Sequence, residues 1–156
     1  VAALTIDRLG RKPIQCIGFA VMALTYGVLA LAPGLTHLLI PFLTIYGVGY
    51  FFTEFGPNVT TFVYPAEIFP IQVRSTAHGI AAGLGKIGAF IGAFAFPYLL
   101  QSQWHLSGAM AFAGIVSILG LVLTIFTLPE PNGRSLEEIS GDLPSITKEE
   151  RKPVRI

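Results

Sequence analysis

Four long runs of apolar residues, separated by short loops, leave this chain few possible folds. The runs cover residues 14–32, 38–63, 75–100 and 108–128. A helix of about 20 apolar residues crosses the roughly 30 Å hydrocarbon core of a bilayer and satisfies its own backbone hydrogen bonds. Because 53% of the residues are hydrophobic and only 12% are charged, the composition is not that of a soluble domain. The sequence predicts an all-α membrane protein with four transmembrane helices.

The charged residues outside these runs indicate how the chain lies in the membrane. Residues 1–128 are expected to form the transmembrane part, and residues 129–156 a polar tail. The loops at Pro33 and Gln101 contain no Lys or Arg, whereas the other loops and the tail contain every Lys and Arg except Lys86. Since positively charged loops tend to remain in the cytoplasm, we expect a cytoplasmic C-terminus.

Several functional classes are disfavoured by the sequence. The net charge of +1 and the scattered basic residues argue against a nucleic-acid partner. No His and Cys cluster suggests a metal site, no Ser, His and acid set suggests an enzyme, and we expect no cofactor. The run GLGKIG at Gly83 matches a dinucleotide-binding pattern by letter, but no predicted strand precedes it.

Three polar residues interrupt the predicted spans, namely Glu54, Asn58 and Lys86. A charge at the centre of a membrane helix is unfavourable by roughly 2.5 to 3.5 kcal/mol, so such residues usually have a partner, a cavity or a ligand. Asn58 follows Glu54 by four residues and shares its helix face. Between them, the pair Gly56-Pro57 is predicted to bend the helix and to free a backbone carbonyl.

The acid and the base are predicted to lie at a similar depth. Glu54 precedes the loop at Pro65 by about eleven residues, and Lys86 follows the same loop by about twelve. At 1.5 Å per residue, both would be roughly 16 to 18 Å from the cytoplasmic surface. Two antiparallel helices could therefore pair these residues or direct both into one polar cavity, and a structural ion pair remains an alternative to ligand binding.

Several motifs resemble those of a known transporter family. DRLGRK at Asp7 and PEPNGRSLEEI at Pro129 resemble segments of the major facilitator superfamily. Within it, GPNVTTFVYPAEIFP at Gly56, RSTAHGI at Arg74 and GKIGAFIGAF at Gly85 resemble the phosphate:proton symporters of fungi and plants. The resemblance implies that this chain is a C-terminal segment, helices nine to twelve, whose N-terminal helices are missing.

The same resemblance implies a function and residue roles. It implies proton-coupled uptake of inorganic phosphate by alternating access, in the lipid bilayer of the plasma membrane, with Asn58 and Lys86 contacting the phosphate. Glu54 departs from the residue expected in relatives and is a candidate for a proton-carrying or ion-pairing role. The residues implied to form a cytoplasmic gate of ion pairs are Asp7, Arg8, Arg11, Glu67, Arg74 and Arg134.

Two alternatives remain open at this stage. A sugar:proton symporter of the same superfamily would share the cytoplasmic motifs, although sugar sites favour amides and aromatic rings over a buried cation. A non-transporting membrane sensor or scaffold would keep the fold without coupled flux. Uptake measurements with phosphate and with a sugar distinguish the three hypotheses.

Overall fold

The computed structural model describes residues 9–69 and 72–128. Within these ranges the regular elements are helices, without a strand, as the predicted all-α fold requires. The helices are α1 (Arg11–Leu31), the single turn α2 (Pro33–Thr36), α3 (Leu39–Thr53), a π-helical segment (Glu54–Asn58), α4 (Val59–Ile68), α5 (Arg74–Gln101) and α6 (His105–Thr127). Asp7, Arg8, Arg134 and the predicted tail lie outside the described residues.

Four helical stretches are long and apolar enough to cross a membrane, which confirms the predicted fold class. They cover Arg11–Leu31, Leu39–Pro65, Arg74–Gln101 and His105–Thr127. The helices extend slightly beyond the apolar runs at several ends. In particular, the second span continues through Pro65 to Ile68, because one proline removes only one backbone hydrogen bond and the neighbouring Tyr64 is buried.

α1 lies at the centre of the described bundle, between α6 and the second span. It runs antiparallel to α6, with contacts that extend from Gln15 and Thr124 at one end to Leu29 and Met110 at the other. The main hydrophobic cluster forms in this interface, and its buried members are Tyr26, Leu29, Ala109 and Met110. The small Ala109 lets the two helices approach, so α1 and α6 act as one packed pair.

α5 lies at the periphery of the described bundle. It packs against α6, where the rings of Phe96 and Phe112 meet edge to face at 6.0 Å, and more sparsely against α4. A cavity of ≈ 400 Å³ lies among α1, α5 and α6. None of the side chains on α5 is buried, so most of the surface of this helix is exposed in the described bundle.

Candidate functional site

Glu54 and Asn58 form a hydrogen-bonded pair in the middle of the second span. The Asn58 side-chain amide Nδ2 donates to Glu54 Oε2 at 2.5 Å. Both side chains are exposed in the described bundle. The predicted common helix face is thus present, and it joins a carboxyl oxygen to the neutral amide that the sequence singled out.

This pair occupies the two ends of the π-helical segment, which is where the sequence predicted a bend. Pro57 lacks a backbone N–H and cannot continue the regular α-helical hydrogen-bond pattern. The chain widens into one π-helical turn, a feature frequently found at functional sites. The helical direction continues on both sides of the segment, so α3 and α4 together still cross the membrane.

Two threonines add side-chain hydrogen bonds to carbonyl groups of the π-helical segment itself. Thr60 Oγ1 donates to the carbonyl oxygens of Gly56 at 3.1 Å and of Pro57 at 3.2 Å. Thr61 Oγ1 donates to the carbonyl oxygen of Pro57 at 2.7 Å. Bonds of this kind are associated with bent helices, in agreement with the irregular turn that carries Asn58.

A close backbone approach fixes the π-helical segment against α1. A Cβ atom built on Gly56 would lie 2.8 Å from the Cα atom of Gly18, and one built on Gly18 would lie 2.9 Å from the Cα atom of Gly56. Distances this short are not tolerated by real Cβ atoms, and the atoms met are backbone atoms and the rigid ring of Pro57 rather than flexible side chains. Glycine at both positions thus lets the segment rest directly on α1, which directs Glu54 and Asn58 away from that helix.

Lys86 lies near the middle of α5, twelve residues after the helix begins at Arg74. Its side chain is exposed. Within residues 9–69 and 72–128 it makes no hydrogen bond or ion pair, and the carboxylate of Glu54 is bonded to Asn58 instead. The described structure therefore does not form the Glu54–Lys86 ion pair that the similar depths allowed.

The end of the bundle that is predicted to be cytoplasmic contains one well-formed pair from the predicted gate. The Arg11 guanidinium approaches the Glu67 carboxylate with both Nε and a terminal nitrogen, each with a shortest contact of 2.9 Å. The two side chains are only 15% and 21% exposed. Arg74 instead donates from Nε to the carbonyl oxygen of Phe69 at 3.2 Å. The remaining gate candidates are those outside the described residues.

Two further contacts at this end were not anticipated from the sequence. Lys12 Nζ donates to the carbonyl oxygen of Ile125 at 2.8 Å, where a cation is favoured by the negative end of the α6 dipole. Gln15 Nε2 donates to Thr124 Oγ1 at 3.0 Å. A Lys and a Gln at the start of an apolar helix are a general signal of contacts at a helix end, but they do not tell which helix receives these bonds.

Metal binding finds no support in the described ranges. No group of three or more His, Cys, Asp or Glu residues there is arranged to hold a metal ion. The chemistry that the site offers is thus an amide donor, a neighbouring carboxylate and an ammonium on a separate helix. Such groups bind polar or anionic molecules by hydrogen bonds and charge.

Comparisons with known proteins place these features in a family. Residues 1–143 match the family described as Sugar (and other) transporter. The chain is 49% identical over 142 residues to a "Probable inorganic phosphate transporter 1-6" of Arabidopsis thaliana, covering 88% of this chain and 27% of that protein. It is 44% identical over 155 residues to "Inorganic phosphate transporter 1-6" of Oryza sativa subsp. japonica, covering 88% of this chain and 28% of that protein.

The matches cover only part of each relative, which limits the functional statements that can be made directly about this chain. It spans just over a quarter of the length of both relatives. No solved structure gave a significant match. The relatives bear the names of transporters rather than enzymes, in agreement with the expectation from sequence. On the family match and the four membrane-spanning helices, this chain belongs to the sugar (and other) transporter family of the major facilitator superfamily.

Proposed function

We propose that this chain is the C-terminal segment of a plasma-membrane carrier that takes up inorganic phosphate together with protons. The observation that carries the proposal is Lys86, a cation within a 28-residue apolar helix that has no bonding partner among the described residues. A charge within a membrane span that has no protein partner among the described residues is expected to serve a ligand. The relatives named as inorganic phosphate transporters supply the identity of that ligand.

The two proposed binding residues have complementary chemistry for phosphate. The ammonium group of Lys86 offers three donors and a positive charge. The Asn58 amide donates to phosphate oxygens without adding further charge. In this proposal Lys86 attracts the anion, Asn58 orients it, and the N-terminal helices of the same carrier complete the site.

Charge balance gives a physical reason for coupling to protons. A single lysine does not neutralise a divalent phosphate, and charge is strongly unfavourable in a medium of low dielectric constant. Protons that move with the anion reduce the net charge carried across the membrane. Alternating access around a site near the midplane, between two halves of the carrier, is the mechanism expected for this architecture.

The cytoplasmic ion pairs are proposed to hold one gate closed. The pair of Arg11 and Glu67 joins α1 to α4, so its rupture separates the two spans at the cytoplasmic surface. Individual surface pairs contribute little, about 1 kcal/mol or less. A network that includes Asp7, Arg8, Arg74 and Arg134 would sum several of these small free-energy contributions. Their sum would be enough to bias the equilibrium between conformations.

Uptake of labelled phosphate tests the proposal directly. The full carrier is expressed in phosphate-transport-deficient cells, as the wild type and as Lys86→Gln, and uptake is measured at acidic and at neutral external pH. We expect faster uptake at acidic pH and its loss in Lys86→Gln, because the ammonium charge is removed. Lys86→Arg, which keeps the charge, is expected to retain part of the uptake, and surface labelling verifies that each variant reaches the membrane.

A sugar substrate is the second candidate, since the family description names sugar transporters first. Labelled sugar supplied to the same cells separates the two. Sugar uptake without phosphate uptake would refute the phosphate proposal in favour of this candidate. If neither compound enters cells that display the carrier at the surface, a sensor or scaffold role replaces both.

A further inference from the structure

The amide proposed to bind phosphate is already bonded to a carboxyl group in this structure. Asn58 Nδ2 donates to the carboxylate oxygen of Glu54 at 2.5 Å. A carboxylate oxygen and a phosphate oxygen are alike as acceptors, because both carry negative charge and accept N–H donors. Glu54 therefore occupies one of the two donor positions that Asn58 offers to an incoming phosphate.

No basic group of the neighbouring elements neutralises this carboxylate. The elements packed against the π-helical segment are α1, α3 and α4. Their charged or titratable groups are Arg11, Lys12, Cys16, Tyr26, Tyr46, Tyr50, Tyr64 and Glu67. The charged ones lie at the cytoplasmic end, where Arg11 pairs with Glu67 and Lys12 bonds to the end of α6. Among the described residues, Asn58 is the partner of Glu54.

We propose that Glu54 is a proton-responsive positioning residue that competes with phosphate for the Asn58 amide. As a carboxylate, it retains an N–H of Asn58 and repels a nearby anion. A proton that binds a carboxylate oxygen removes the negative charge and weakens the hydrogen bond, which releases the amide to the phosphate. The proton leaves Glu54 again when the phosphate departs. This inference rests on the proposed phosphate function and adds a route by which a proton and the anion bind together.

The proposal predicts in which direction phosphate affinity changes with pH. If protonation of Glu54 favours phosphate binding, then phosphate binding favours protonation of Glu54 by the same factor. Affinity for phosphate should thus rise as the pH falls. A glutamine at position 54 is uncharged at every pH and resembles the protonated acid, so this part of the pH dependence should vanish.

Binding of inorganic phosphate to the purified full carrier tests the competition. The dissociation constant is measured by calorimetry at acidic and at neutral pH for the wild type, Glu54→Gln, Glu54→Asp and Thr44→Val. Phosphate's own titration affects every protein equally, so the ratio of the two constants isolates the contribution of the carrier. Thr44 is a matched control, because it is exposed on the same span and bonds only to the carbonyl oxygen of Ile40 in its own helix.

We expect the ratio of the neutral to the acidic dissociation constant to be about tenfold larger in the wild type than in Glu54→Gln, as for loss of one charge-assisted hydrogen bond. Thr44→Val should retain the wild-type ratio, and Glu54→Asp, which keeps a carboxyl group, should retain a ratio above that of Glu54→Gln. An unchanged ratio in Glu54→Gln would overturn the proposal. An unchanged ratio also includes the case in which affinity falls by the same factor at both pH values, which is the result of a purely structural role. If the wild type binds no phosphate at either pH, the proposed function itself fails.

Discussion

At the residue scale, the contact that most affects the site is made by two glycines rather than by the polar side chains. Gly18 and Gly56 bring the backbones of α1 and the π-helical segment together, with Cβ positions that would lie 2.8 to 2.9 Å from the opposing Cα atoms. This contact fixes the turn that carries Asn58. A change at either glycine is therefore expected to act on the site without touching a ligand.

Gly56→Ala is expected to destabilise the carrier. The added methyl group meets backbone atoms of α1, so the helices must separate, and overpacking of this kind typically costs about 1 to 3 kcal/mol. Thermal unfolding of the purified carrier in detergent measures the effect as a lower Tm. Gly47→Ala is the control, because a Cβ atom at Gly47 in the same span has no neighbour within 4 Å. Equal Tm values for the two variants would contradict the close approach.

The sequence singled out the polar residues within the spans, but not how they pair. The spacing of Glu54 and Asn58 placed them on one face, and the structure joins them by a hydrogen bond. The pairing of Gly18 with Gly56 was not foreseeable, since a single glycine in an apolar helix carries no information on which helix it will meet. The roles of Asn58, Lys86 and Glu54 in binding remain predictions.

At the scale of elements, the second span is built from two α-helices joined by the π-helical segment. The pair Gly56-Pro57 predicted the irregularity, since its causes are local. The pairing of the helices was not predicted, because four uniformly apolar helices can be arranged in several ways with similar burial. Polar contacts at the helix ends, such as Lys12 with Ile125, help to select the observed arrangement.

The Arg11–Glu67 pair is expected to control rate rather than affinity. Arg11→Ala, Glu67→Ala and the double variant should each change the maximal rate of phosphate uptake while the KM for phosphate stays within about twofold, because the pair lies far from the proposed site. A double-mutant cycle on the rate should give a coupling of about 1 kcal/mol.

Arg74→Ala provides a comparison within the same gate. Arg74 bonds to a backbone carbonyl in the loop that precedes α5, so its loss should also change rate more than affinity. If these variants alter KM and rate by the same factor, the gating role is refuted. Additive effects of Arg11→Ala and Glu67→Ala would show that the observed ion pair does not operate in transport.

At the scale of the whole molecule, the described bundle is one-sided. α1 is enclosed by two spans, whereas α5 has no buried residue and presents Phe90, Phe94 and Lys86 outward. Because this exposed helix presents both apolar and charged groups, it is expected to contact protein or a polar cavity as well as lipid. The number and type of spans could be predicted from hydropathy, whereas this asymmetry depends on which helices pack together.

The 156-residue chain is expected to self-associate when it is purified alone. The exposed faces of α5 and the outward side of α6 would bury apolar surface against other copies. Size-exclusion chromatography with light scattering in a mild detergent measures the mass of the protein component. The full carrier under the same conditions is the control and should be monodisperse. A monodisperse, monomeric 156-residue chain would show that these faces need no protein partner.

The antiparallel pairing of α1 with α6 also has a consequence for biosynthesis. These helices are the first and the last described spans, so the surface of α1 around Tyr26 and Leu29 is completed only after α6 has emerged from the ribosome. Non-local contacts of this kind form late and leave apolar surface exposed in the meantime. One side of α1 therefore remains unpacked in the membrane while two further spans are inserted. A premature stop before His105 would leave that side permanently open and present quality-control machinery with an incomplete helix pair.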